Sequence, residues 1–214
     1  MTWLQGGPFL EISFLLPLET GRQTVINAVL SRIKSVKPTV TIALSEAQIS
    51  EKIEKFCIGY LDNEHDPQSV RYHSTQIPVY INTDGNRKSI LALEQISSTL
   101  VQINFWLFGS ELDAPEWNQR GITETDFPVF KEFLHNLFDK FDFIIGTLGY
   151  EVSATDLFDT EDGWPSEKYS LDNLKRNAFE AGDHFLMIAV NKKYLDLTDV
   201  DGVVTSENKQ IREK

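Results

Sequence analysis

The stretch TLVQINFWLF, Thr99–Phe108, decides the fold. It is long enough for a buried strand and rich in β-branched and aromatic residues. Gly109-Ser110 then stops it. A strand of this kind needs pairing partners on both edges and a cover on its faces. The residues on either side supply them.

Downstream, Phe130, Phe133, Leu134, Leu137, Phe138 and Phe141 recur at helical spacing, with Pro128 suited to a first turn and Asp126 to a cap. That pattern predicts an amphipathic helix lying on the sheet. Phe143–Glu151 (FIIGTLGYE) and His184–Asn191 (HFLMIAVN) read as further strands, and Ser170–Phe179 as a short helix between them. Upstream, Asp84-Gly85 is turn chemistry between Ile77–Asn82 and Lys88–Glu94. This favours a hairpin, although residues 87–98 also admit a short helix.

The N-terminal part alternates strand and helix signals. Pro8–Pro17 (PFLEISFLLP) places Leu10, Ile12, Phe14 and Leu16 on one face. Thr20 with Gln23 forms a capping-box pattern ahead of a stripe of Val25, Ile26, Val29, Leu30 and Ile33, and Pro38 prevents continuation. Thr39–Leu44 is strand-like. Ser45 with Gln48 then opens a second helix carrying Ile49, Ile53, Phe56, Cys57 and Tyr60. Ser69–His73 reads as one more strand. No repeat or low-complexity linker divides the chain. The expectation is one α+β domain over residues 1–197, with a mixed, mostly antiparallel sheet and helices packed on one side. Residues 198–214 are expected to form a polar tail that frays.

Charge is distributed unevenly. Residues 111–167 hold 14 acidic residues against three basic ones, nearly the whole net charge of −12. The acidity argues against nucleic acid and against anionic membrane surfaces, both of which demand Lys and Arg. A single cysteine forms no intramolecular disulfide, the N-terminus lacks the features of a signal peptide, and no apolar run reaches the ~20 residues of a membrane span. The expected compartment is the cytoplasm.

No motif specifies a reaction. His65 lies among Asp62, Glu64 and Asp66 in a loop that reads as solvated, and no zinc spacing exists. Cys57 falls on an apolar stripe as a small hydrophobe. Ser110 follows a strand without the G-x-S-x-G elbow. Asp199-Val-Asp201-Gly202 lacks essential carboxylates of a calcium loop. No metal or cofactor is therefore expected.

What stands out is an acidic rim with aromatic anchors: Glu111, Asp113, Glu116 and Trp117 in one loop, Asp159, Glu161, Asp162 and Trp164 in another. Trp106, inside its strand, reads as core. A tryptophan ringed by carboxylates suits the capture of a basic protein, although it also suits a plug for its own loop. In composition and physical logic the chain resembles bacterial immunity proteins that neutralise basic, nuclease-like toxins. That resemblance carries over no residue roles. The alternative is an enzyme or small-molecule binder with a carboxylate-lined site at the end of the 99–108 strand.

Overall fold

The structure is a computed structural model that describes residues 3–63, 65, 66, 68–174, 184–195, 203–205 and 209–213. Its centre is a nine-stranded sheet. In chain order the strands are β1 (Phe9–Pro17), β2 (Thr39–Ile42), β5 (Ser74–Asn82), β6 (Asn86–Gln95), β7 (Leu100–Phe108), β8 (Ile145–Tyr150), β9 (Phe185–Asn191), β10 (Val203–Thr205) and β11 (Lys209–Glu213). Across the sheet the order is β10-β11-β9-β8-β1-β7-β6-β5-β2, with β3 (Tyr60–Leu61) and β4 (Arg71–Tyr72) paired separately. Every pairing among the described strands is antiparallel. The β5–β6 hairpin settles residues 87–95 as strand, with Asn82 opposite Asn86.

Three helices cover one face: α1 (Arg22–Arg32), α2 (Glu46–Ile58) and α3 (Phe127–Phe141). The period-two alternation of the strands sends Leu10, Ile12 and Phe14 of β1 and Val101, Ile103, Phe105 and Leu107 of β7 into the core beneath them. All six stripe residues of α3 are buried there. Phe133 meets Phe105 edge-on at 5.2 Å, and Phe138 meets Phe143 at 4.7 Å. The helix ends at Asp142, in left-handed conformation (φ 47°), whose carboxylate accepts Asn191 Nδ2 at 2.7 Å.

Caps divide into one as expected and two not. Ser45 and Gln48 form a reciprocal capping box at α2. At α1 the N-cap is Gly21, not Thr20. The helix starts one residue later than the box requires, and no side chain caps it. Asp126 precedes α3 without capping it, because its carboxylate is bound to Arg87 and Thr123 instead. Tyr60 lies outside α2, in β3, half exposed. Cys57 is only half-buried, its thiol facing Gln23 Oε1 at 3.4 Å. Strand signal begins again at Ser74 rather than ending at His73.

The polar C-terminal end expected to fray supplies β10 and β11, and β11 pairs with β9 from Lys209↔Asn191 to Glu213↔Met187. Its charges find partners on α3: Lys209 Nζ meets Asp139 at 2.7 Å, and Lys131 Nζ meets Glu213 at 3.0 Å. Main-chain pairing supplies most of the hold, since exposed ion pairs contribute ~0–1 kcal/mol each. Of the helix expected over Ser170–Phe179, a 3-10 turn at Leu171–Asn173 is described; the rest lies outside the described residues, as does the Asp199–Gly202 segment.

The face away from the helices is half covered by the segment 153–174, which builds a second core around Leu15, Ile145, Leu157, Phe158 and Ile188. Ser13 anchors it: its hydroxyl accepts the Ala154 amide at 2.6 Å and pairs with Thr147 at 2.7 Å. The segment reaches β7 at Gln102, whose Oε1 accepts the Thr155 amide at 3.0 Å. Farther along the same face Trp106 is half-buried and lines a cleft with Trp3, Pro78 and Ile90, outside the core in which its strand seemed to place it.

Candidate functional site

The loop 109–126 leaves β7 at Gly109 and is braced throughout. Ala114 and Gln119 exchange both backbone bonds across a 3-10 turn at Pro115–Trp117, and Asn118 turns the chain in left-handed conformation. Asp113 accepts the Gly121 amide at 2.8 Å, and Gly121 packs so tightly that a Cβ there would lie 2.5 Å from the Glu111 carbonyl oxygen. Buried Gln119 bonds the backbone of Gln5 in both directions at 2.8 Å. Arg87, with 4% of its side chain exposed, donates to the Gly121 carbonyl and to Asp126, each at 2.7 Å. Its guanidinium also lies over the Phe130 ring at 5.8 Å.

On this frame stand the residues singled out by sequence. Glu111, Asp113 and Glu116 are exposed. Trp117 is 40% exposed and rests one edge against Gly6. Leu112, which sequence reasoning passed over, is 77% exposed. Only its neighbours signalled it: an apolar residue between two acids, Glu111 and Asp113. Ser110 Oγ accepts the Leu112 amide at 3.2 Å, a turn role.

The second acidic loop is elsewhere. Asp159, Glu161 and Asp162 are exposed, but Trp164 is half-buried and packs edge-on against Tyr72 of β4 at 5.3 Å. Asp162 accepts Lys168 Nζ and Ser166 Oγ, both at 3.0 Å, and these bonds hold its carboxyl below the usual range. Glu167 takes the amide and hydroxyl of Ser98. The first loop is tied to the Arg87 end of β6 and the second to the turn after Gln95. At ~3.3 Å per residue these anchor points lie roughly 26 Å apart. The structure does not bring the two acidic sets together.

A different pair of carboxylates emerges from the strand pairing. Glu94 lies opposite Gln102, and Glu11 opposite Trp106, on the face of β6, β7 and β1 away from the helices. Gln102 Nε2 donates to Glu94 at 3.4 Å and Asn104 Nδ2 to Glu11 at 2.7 Å. Burial pushes the Glu94 carboxyl up to about 7; the Gln102 bond opposes this, and the negative charge of Glu11 adds to it. Burial also raises Glu11, against the Asn104 bond and with help from Asp156. Sequence gave no sign of this, because the two residues are far apart in the chain and each sits singly in an apolar strand.

This raised carboxyl has a thermodynamic consequence. Below the ordinary value of 4.5 both folded and unfolded chains hold the proton. Between about 4.5 and about 7 the folded chain holds it and the unfolded chain does not, so stability falls as pH rises through that window. The expected loss between pH 5 and pH 8 is on the order of 1–3 kcal/mol, and Glu94→Gln removes most of it. Urea titrations at the two pH values check this; an unchanged pH slope in the variant would exclude Glu94 as the source.

Among the described residues no three His, Cys, Asp or Glu side chains gather as a metal site. His73 Nδ1 meets the Phe56 carbonyl at 3.0 Å, and burial holds its ring below the ordinary value. Among the described residues no helix is long and apolar enough to cross a membrane. The fold and surface define an antiparallel α+β protein with a braced acidic loop. No family model, curated protein or solved structure matches the chain.

Proposed function

We propose that this is an acidic protein-binding module that docks a basic partner through the loop 109–126. Its biological form would be an immunity-type inhibitor of a basic, nuclease-like toxin in the cytoplasm. One observation carries this reading: two large apolar side chains, Leu112 and Trp117, stand exposed among Glu111, Asp113 and Glu116 on a loop with almost every turn braced. Apolar anchors with an acidic rim are the anatomy of a hot spot, and a preformed loop binds without the entropy cost of ordering. The second loop supports steering through its charge, with Trp164 removed from the contact set because it is already packed.

The test is binding of the purified protein to the product of the adjacent gene, by biolayer interferometry at low and high salt. The on-rate is expected to fall steeply as salt rises, since charges beyond about 8 Å are screened at physiological ionic strength. Leu112→Ala and Trp117→Ala are each expected to speed dissociation about tenfold or more. An on-rate indifferent to salt, or variants that dissociate like the parent chain, would overturn the reading. The Glu11–Glu94 pair favours a second reading, a small-molecule or catalytic site. It lies across the middle of β7 rather than at the strand's end.

A further inference from the structure

At the other end of β6 lies a cleft of about 290 Å³ where Arg22, Arg71 and His73 converge with Gln95, Ser97 and Ser98. We propose that this cleft binds the phosphate group of a small phosphorylated molecule.

The argument begins with how the arginines are held. Gln95 is buried, and its side chain is fixed at both ends: Nε2 donates to the Ser97 carbonyl at 2.9 Å, while Oε1 accepts Arg22 Nε at 2.5 Å. That bond sets the direction of the Arg22 guanidinium and leaves its two terminal nitrogens without a partner among the described residues. Among the described residues Arg71 is held by a single bond of one terminal nitrogen to the Ile58 carbonyl, at 3.3 Å. Neither arginine forms an ion pair among the described residues. In a chain of net charge −12, two guanidiniums at one cleft with no ion pair among the described residues are conspicuous.

The other wall residues are consistent with an anion. Buried His73 donates its Nδ1–H to the Phe56 carbonyl, and burial, with the two arginines beside it, holds its ring below the ordinary value, so the charge argument rests on Arg22 and Arg71. One acid, Glu167, also lines the cleft; its carboxylate is turned to Ser98, accepting the amide and hydroxyl there at 2.9 and 2.7 Å, and it pairs with neither arginine among the described residues. The first turn of α1, which Arg22 opens, carries no acidic residue and no side-chain cap. Two forks of N–H donors match the geometry and the −1.5 to −2 charge of a phosphomonoester. The cleft is near the lower size limit for small-molecule sites, and the surrounding negative field disfavours a polyanion such as nucleic acid.

Isothermal titration of the full chain with inorganic phosphate and with O-phosphoserine tests this, in chloride buffers of matched ionic strength. Saturable binding of both is expected. Arg71→Gln and Arg22→Gln are each expected to weaken it about tenfold or more, and Arg32→Gln, on the exposed last turn of α1, to leave it unchanged. Arg71 is exposed, so its variant decides the matter even if Arg22→Gln fails to fold. Absence of saturable binding, or an Arg71→Gln variant that binds as tightly as the parent, overturns the proposal. A short single-stranded oligonucleotide that binds more tightly than O-phosphoserine overturns its small-molecule form.

Discussion

Phe133→Ala and Phe138→Ala are expected to destabilise the chain by about 3–5 kcal/mol each, against less than about 1 kcal/mol for Trp117→Ala. The difference follows from what each ring touches. Phe133 is fully buried and meets Phe105 of β7, so its removal opens a cavity at the centre of the helix–sheet contact. Phe138 meets Phe143 and lies under the Lys209 ammonium. Because domains are stable by only ~5–15 kcal/mol, either change consumes a large share of the margin. Trp117 already shows 40% of its surface to solvent, so its removal opens no enclosed cavity. Urea melts of the three variants measure the contrast. A Trp117→Ala loss equal to that of Phe133→Ala would make the tryptophan a structural plug and remove it from the proposed interface.

Arg87→Ala is expected to cost about 3–5 kcal/mol as well, by a different route. Removing the guanidinium strands a largely buried Asp126 and the Gly121 carbonyl, two acceptors it satisfies at 2.7 Å. Loss of the whole pair through replacement by apolar groups would be far milder, because the penalty lies in the unpaired survivor. The double variant Arg87→Met with Asp126→Leu is therefore expected to regain part of the loss. Hydrogen exchange at the Gly121 and Ile122 amides should quicken in Arg87→Ala, as the loop loses its brace. Unchanged exchange there would separate Arg87 from loop order and confine its role to the core.

The Phe stripe of α3 was legible in sequence because it is a long local pattern with one physical meaning. The Ser45–Gln48 box and the Asp84-Gly85 turn were legible as local signals, but the same box pattern at Thr20–Gln23 caps nothing, and residues 87–98 admitted a helix until strand pairing decided them. β11 was not: Lys209-Gln-Ile-Arg-Glu213 is polar, and it is a strand only because β9 offers an edge and α3 offers countercharges. Trp106 was misplaced for a related reason. The far face of its strand reads Leu100, Gln102, Asn104, Trp106 and Phe108, and the path of the segment 153–174 across that face is set by contacts distant in sequence. Of the candidate site, the acidic loop and Trp117 could be read directly. Leu112 needed the loop's geometry, Glu11 and Glu94 the register of three strands, and Arg22 and Arg71 the arrangement of separate elements around Gln95.

The position of β1 bears on how the chain is made. This first strand is hydrogen-bonded to β7 and β8, both distant in sequence, and to no nearer segment. During synthesis FLEISFLLP must therefore wait, apolar and with both edges open, until more than 90 further residues have been added. Such late, non-local pairing gives a high contact order and slow folding, ordinarily in milliseconds to seconds. A nascent chain in this condition is a natural client for a chaperone, and production in cells should respond more to lowered temperature and slowed translation than equilibrium stability alone would suggest.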